Sequence, residues 1–102
     1  MITFRDIRTP CVVYQCPRHL KAVTVKPRGA AHTLPCDCKN GRPMLITDAC
    51  VVVADSDGVL RVCRDRASMA GFRVAAVVYQ GRRAHWRLIE EARTRIAIFG
   101  GQ

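Results

Sequence analysis

Four cysteines and a histidine gather in the first half of the chain: Cys11, Cys16 and His19, then Cys36 and Cys38. Cys16-Pro17-Arg18-His19 and Cys36-Asp37-Cys38-Lys39-Asn40-Gly41 each offer two soft donors on a short turn. A tetrahedral zinc takes thiolate sulfur at about 2.3 Å and imidazole nitrogen at about 2.0 to 2.1 Å, and two facing turns supply four such donors with little backbone strain. Cys16, His19, Cys36 and Cys38 are the predicted ligands, with Pro17 stiffening the turn between the first two. Cys11 is the reserve, because Cys11 and Cys16 form a C-x4-C pair that dispenses with His19. Four protein donors leave no position for water, so the expected zinc is structural and not catalytic. Reduced, merely packed thiols with a solvated His19 are the plainer alternative. An iron-sulfur cluster on Cys11, Cys16, Cys36 and Cys38 lacks the repeated Cys-x-x-Cys runs that such clusters favour.

Over residues 11–44 these two knuckles resemble a zinc ribbon, in which one Cys-Pro-x-Cys turn follows a strand and a second turn follows a hairpin. The sequence departs from that pattern twice. His19 stands in place of a cysteine, and the second knuckle is Cys-x-Cys, a tighter bite than Cys-x-x-Cys. The resemblance implies a structural zinc in the N-terminal part and covers under half of the chain.

The composition sets the frame for this chemistry. At 102 residues the chain is expected to form a single domain, with metal-binding knuckles in 11–44 and a hairpin, strand and helix in 45–102. Hydrophobic residues make up 49%, too many for a disordered chain. The longest apolar runs, Ala49 to Ala54 and Val74 to Tyr79, hold six residues each and are too short to cross a bilayer. Arg5 and Asp6 bring charge where the apolar region of a signal peptide would begin, so the expected setting is the cytoplasm or a virion assembled there. In a reducing compartment, six cysteines point to metal binding before disulfides. Cys50 and Cys63 stand apart in apolar surroundings and read as buried thiols, able to face each other across a hairpin.

The elements that must position these residues follow from periodicity and turn chemistry. Short strands are expected at 2–7 and 11–15, separated at Thr9-Pro10, and a third over 20–26, where β-branched residues alternate. Pro27-Arg28-Gly29 ends it. Met44 to Thr47 resumes as a strand, and residues 50–63 form a hairpin around Asp55-Ser56-Asp57-Gly58. That turn begins like a calcium loop, but Arg66 stands where the loop's glutamate belongs. Residues 64–71 read as one helical turn or a loop. Phe72 to Tyr79 reads as a central strand buried on both faces. Trp86, Ile89, Ala92, Ile96 and Phe99 recur at helical spacing and predict an amphipathic helix over 83–93, then a strand over 94–99, with a hairpin across 82–99 as the alternative. The expected fold is α+β, mainly antiparallel β with a zinc-ribbon-like N-terminal part and one C-terminal helix.

Seventeen Lys and Arg against eight Asp and Glu give a net charge of +9, a field that attracts polyanions. It is spread evenly, with +5 in residues 1–50 and +4 in 51–102. Arg82, Arg83, Trp86 and Arg87 at the helix start are the candidate phosphate and base contacts, unless Trp86 is instead a core anchor among solvated arginines. Arg18, Lys21, Lys26 and Arg28 around the first knuckle form a second basic group. His85, Glu90 and Glu91 do not line up as an acid-base set, and no nucleophile-base pair can be assembled, so no enzyme is expected. The function that follows is a non-enzymatic basic module, stabilised by structural zinc, binding nucleic acid or a nucleoprotein complex. A structural subunit of a larger assembly, such as a phage or viral particle, is the alternative. No membrane and no small-molecule substrate are implied.

Overall fold

A computed structural model describes residues 9–16, 18–19, 23–29 and 42–97. The chain divides into two compact units, Met1–Thr47 and Asp48–Gln102. Among the described residues it is mainly antiparallel β with one helix near the C-terminus, as expected for an α+β chain.

In the first unit, β1 (Cys11–Gln15) lies between β2 (Val23–Pro27) and β3 (Arg42–Ile46), both antiparallel to it. β1 is the buried strand, with Cys11, Val13, Tyr14 and Gln15 all withdrawn from solvent. Both flanking strands carry a proline, Pro27 and Pro43. A proline cannot donate to a ladder and is confined to strands with a free side, which is where the topology puts them. The third strand thus opens at Arg42, two residues before the Met44 expected from sequence. Gly29, with φ of 90°, turns the chain after β2. The peptide bond between Thr9 and Pro10 is cis. The strand expected over 2–7 lies outside the described residues.

In the second unit, β4 (Val51–Asp55) lies between β5 (Leu60–Cys63) and β6 (Val74–Gln80). A single 3-10 turn spans Ala67–Met69, and α1 covers Trp86–Arg95. Val51 and Val53, two apart and so on one face of β4, pack with Cys63, Met69, Val74, Leu88 and Ala92. Phe72, Val77, Ala84, Ile89 and Ile96 close over this cluster.

The β4–β5 hairpin stands where the sequence places it, and its turn is closed by one buried carboxylate. Asp55 Oδ1 accepts from the backbone N–H of Asp57 at 2.8 Å and of Val59 at 2.9 Å. Its Oδ2 accepts from Arg61 Nε and Nη2 at 3.3 and 3.2 Å. With these donors on its oxygens, Asp55 serves as a turn lock and not as a calcium ligand.

Three expectations need correction. Residues 72–79 do not form a central strand buried on both faces. That place belongs to β4, while Ala75 and Ala76 of β6 are exposed, and two register shifts against β4 leave Ala75 and Val78 out of the pairing. Bulges of this kind twist an edge and blunt its tendency to add further strands. Residues 94 and 95 are helix and not strand, so the hairpin alternative for the tail falls as well. Of the row expected to face the core, Ala92 is buried and Ile89 and Ile96 pack against the core beside Leu88, while Phe99 lies outside the described residues; Trp86 alone stays exposed, being two residues and therefore about 200° round the helix from Leu88.

The link from β6 into α1 runs close against the backbone that leads into β4. Gly81 N–H donates to Cys50 O at 2.9 Å and Arg83 N–H to Asp48 O at 2.8 Å. A Cβ on Gly81 would run into the carbonyl of Asp48 and meet Cys50 O at 2.9 Å, with backbone that cannot move aside. Gly81→Ala is therefore expected to destabilise the protein by about 1–3 kcal/mol or more, as overpacking does. Chemical denaturation with an unchanged m-value and a lower midpoint checks it; a midpoint like the wild type's would contradict the close approach.

Candidate metal centre and nucleic-acid interface

β1 delivers Cys16 directly to the turn that follows it. The backbone N–H of His19 donates to Cys16 O at 3.2 Å, and this closure brings the His19 ring back over the cysteine. Cys16 Sγ and His19 Nδ1 are 3.6 Å apart. Two donors at about 2.3 and 2.05 Å from one zinc, across a tetrahedral angle, stand about 3.6 Å from each other. The same separation suits a weak S–H···N contact, so the pair supplies two corners of a site and not the site itself. Cys16 is buried and His19 exposed.

Cys36 and Cys38 lie outside the described residues. Among the described residues no group of three or more His, Cys, Asp or Glu side chains is gathered closely enough to hold a metal. Cys11 does not join Cys16 and His19. Because β1 is extended from Cys11 to Gln15, its length of about 13 Å separates the two cysteines, well beyond what one ion can bridge. The reserve role for Cys11 on the same ion as Cys16 is therefore excluded by the strand between them.

Cys50 and Cys63 are fully buried in the second unit. Cys63 Sγ lies 3.9 Å from the carbonyl oxygens of both Arg61 and Ser68. Burial pushes its thiol up to about 11, with the neighbouring Cys50 and Asp65 adding to the effect and Arg61 and Arg95 opposing it. Such a thiol is inert at neutral pH, so the sequence reading of ordinary packed cysteines agrees with its chemistry. Asp65, on the surface nearby, is held below the usual carboxylate range by the hydroxyl and backbone N–H of Ser68.

The second candidate site is the start of α1. Trp86 is the first helical residue and is 61% exposed, so it is not the core anchor that a lone tryptophan suggests. His85 precedes it as the N-cap, its Nδ1 accepting from the backbone N–H of Arg87 at 3.1 Å. The rings of His85 and Trp86 stack at 5.8 Å and 26°. The Arg87 guanidinium sits over the indole at 5.3 Å, within cation-π range. Arg82, Arg83 and Arg87 are all exposed, in the turn before the helix and its first turn. Beside them an open depression of about 290 Å³ is lined by Arg66, Trp86, Arg87, Glu90, Glu91 and Thr94.

The other basic group falls in the first unit. Arg18 and Arg28 are exposed and Lys26 is half-buried, while Lys21 lies outside the described residues. Three contributions were missed from sequence: His85 as a cap, Asp55 as a buried lock, and Glu90 beside the exposed indole. Only the last had a usable signal, since Trp86 and Glu90 stand four apart on one helix face. Glu91 pairs with Arg95, four residues on, at 3.0 Å, and its other oxygen faces Arg66 at 3.8 Å. No helix among the described residues is long and apolar enough to cross a membrane.

No family of known proteins matches the chain, and no curated protein or solved structure is significantly similar to it.

The Cys63 thiol carries a pH signature. The folded chain keeps this proton to about pH 11, while the unfolded chain releases it near 9. The unfolded state thus binds fewer protons between those values, and stability falls as pH rises through the window. The loss attributable to Cys63 is on the order of 2–3 kcal/mol by pH 11. The drop in denaturation midpoint from pH 8 to pH 10.5 should be smaller in Cys63→Ala than in the wild type; equal drops would show that the thiol is not held protonated.

Proposed function

We propose that the chain is a non-enzymatic basic binding module for nucleic acid or a nucleoprotein complex, with an N-terminal unit stabilised by structural zinc. One observation carries the binding half: the exposed large apolar side chain among the described residues is Trp86, and the Arg87 guanidinium lies over its ring. Leaving an indole in water forgoes stabilisation that burial would bring. With Arg87 over its ring and Arg82 and Arg83 exposed in the turn that leads into the helix, it has the two parts that single-strand binding uses, an aromatic platform for bases and cations for phosphates. Loss of counterions from the strand then drives association.

Support for the zinc half comes from Cys16 and His19 and from strand register. β3 opens at Arg42 opposite Gln15, beside Cys16. Cys38 precedes Arg42 by four residues, a span of chain that cannot exceed about 14 Å. Cys36-Asp37-Cys38 is thus within reach of the end of the sheet where Cys16 and His19 meet, as a zinc-ribbon-like pairing of knuckles requires. Zinc bound by Cys16, His19, Cys36 and Cys38 would fix the two connections of a small sheet to each other.

A subunit of a phage or other viral particle would be expected to show a contiguous apolar contact face. Among the described residues Trp86 is the one large hydrophobic side chain left exposed, which favours the binding module.

Two measurements test this. Affinity for a short single strand should fall steeply with salt, and Trp86→Ala should weaken it by the equivalent of about 1–3 kcal/mol, as loss of one stacked base does. Elemental analysis should find one zinc per chain, and its removal should lower the stability of the wild type but not of a Cys16→Ser variant. Absence of binding at low ionic strength removes the nucleic-acid reading, and a metal-free folded protein removes the zinc.

A further inference from the structure

The depression beside Trp86 holds charges of both signs, and nucleic-acid binding in general has no use for the negative ones. Trp86, Glu90 and Thr94 succeed each other at four-residue steps and form a row along one exposed face of α1. Of the two carboxylates at its edge, Glu91 is neutralised by Arg95 and Arg66. Glu90, among the described residues, has no hydrogen-bond or ion-pair partner. A bare carboxylate next to a phosphate-binding surface repels its ligand, unless it meets a part of that ligand that donates hydrogen bonds.

In a nucleotide that part is the base edge. Neighbours at this helical spacing have Cβ atoms about 5–6 Å apart, so a ring stacked on Trp86 presents its rim to the Glu90 carboxylate. The common bases differ sharply there. Guanine offers two adjacent donors, N1–H and the N2 amino group, which match the two oxygens of one carboxylate. Adenine and cytosine place an acceptor beside their single amino group, and thymine and uracil flank one N–H with two carbonyls. Each acceptor would face the negative oxygens of Glu90.

We propose that the depression is a subsite for an unpaired guanine that takes the place of the Arg87 guanidinium on the Trp86 ring and donates N1–H and N2–H to Glu90, its phosphate going to the displaced Arg87 and the exposed Arg82-Arg83 pair. The guanine must be unpaired because a duplex already uses the same edge. The site separates its charges as the ligand does, cations towards the helix start and the carboxylate one turn further on. A cationic group on Trp86 is disfavoured, since Arg66 and Arg87 border the same space and the protein carries +9. This subsite rests on the nucleic-acid function proposed above.

The experiment uses the full chain and quenching of Trp86, its only tryptophan. Short thymidine strands carry one central guanosine, adenosine, cytidine or thymidine and are titrated at fixed low salt. The guanosine strand should bind on the order of 10-fold more tightly than the all-thymidine strand, the scale of one bidentate base contact. Glu90→Gln, on the surface and expected to fold, should abolish that preference while the all-thymidine strand binds at least as well, because a repulsive charge has gone. Guanosine monophosphate should compete weakly, having a single phosphate; competition as strong as the strand's would overturn the strand assignment in favour of a free nucleotide. Equal affinity for all four strands, or a preference that survives Glu90→Gln, overturns the guanine subsite and leaves the function standing. No quenching by any strand removes both.

Discussion

Each unit is built on a strand that is hydrogen-bonded along both sides and must therefore be apolar or internally satisfied. In the second unit that strand is β4, whose Val51, Val52 and Val53 are fully buried in succession. A run of three buried β-branched residues has no solvent face to give up, which suits it to the middle of the sheet. The sheet neighbours adjust to it. β5 follows through the turn locked by Asp55, and β6 meets it with two irregularities, exposing its alanines. Only the Val51 and Val53 face receives the helix, through Leu88 and Ala92.

That constraint decides where the helix begins and what it leaves outside. Gly81 sits against the backbone of Asp48 and Cys50, next to the start of β4, and the chain has only Arg82 to His85 in which to turn into α1. Leu88 and Ala92 must reach the core, so the residue about 200° away from Leu88 cannot. Trp86 is therefore exposed by the geometry of its own helix, whatever its affinity for an interior. His85 then supplies the cap acceptor that Asp, Asn or Ser would more often provide. No acidic residue stands in the first turn, and Arg82, Arg83 and Arg87 oppose the helix dipole there, while Arg93 and Arg95 complement it at the other end. A phosphate at the helix start would offset that local penalty.

What could be read from sequence, and what could not, follows the same logic. The β4–β5 hairpin was legible because Asp-Ser-Asp-Gly separates two β-branched runs, and the helix because apolar residues recur every three or four positions. The exchange of roles between β4 and β6 was not, since both are apolar runs and nothing in Val74 to Tyr79 signals the shifts in pairing that expose Ala75 and Ala76. Burial of Asp55 depends on a partner, Arg61, across the hairpin, and composition does not report pairings. Trp86 was misjudged as a possible core anchor because size argues for burial, while its face of the helix argues against it, and the face wins. In the first half the Cys16 and His19 contact was legible from a turn four residues long, whereas the reach of Cys11 was not, because it depends on β1 being extended right up to the knuckle.

The two units face different problems of stability, and this bears on why only one of them would need a metal. The second has a strand sandwiched between two others, a covering helix and a connected apolar cluster. Among its described residues the first has three strands of five residues, two of them carrying proline, and a buried set confined to β1, Cys16 and Ile46. Sheets of that size are marginal unless a helix, a second sheet or a cross-link supports them. A zinc at the end of β1 would tie the exit from β1 to the entry into β3, two strands already aligned from Cys11 with Ile46 to Gln15 with Arg42. On the proposed reading its binding free energy enters directly as folding free energy, so metal loss should be felt first as fraying at the Gln15 and Arg42 end, while the pairing of β4 with β5 and β6 is left intact.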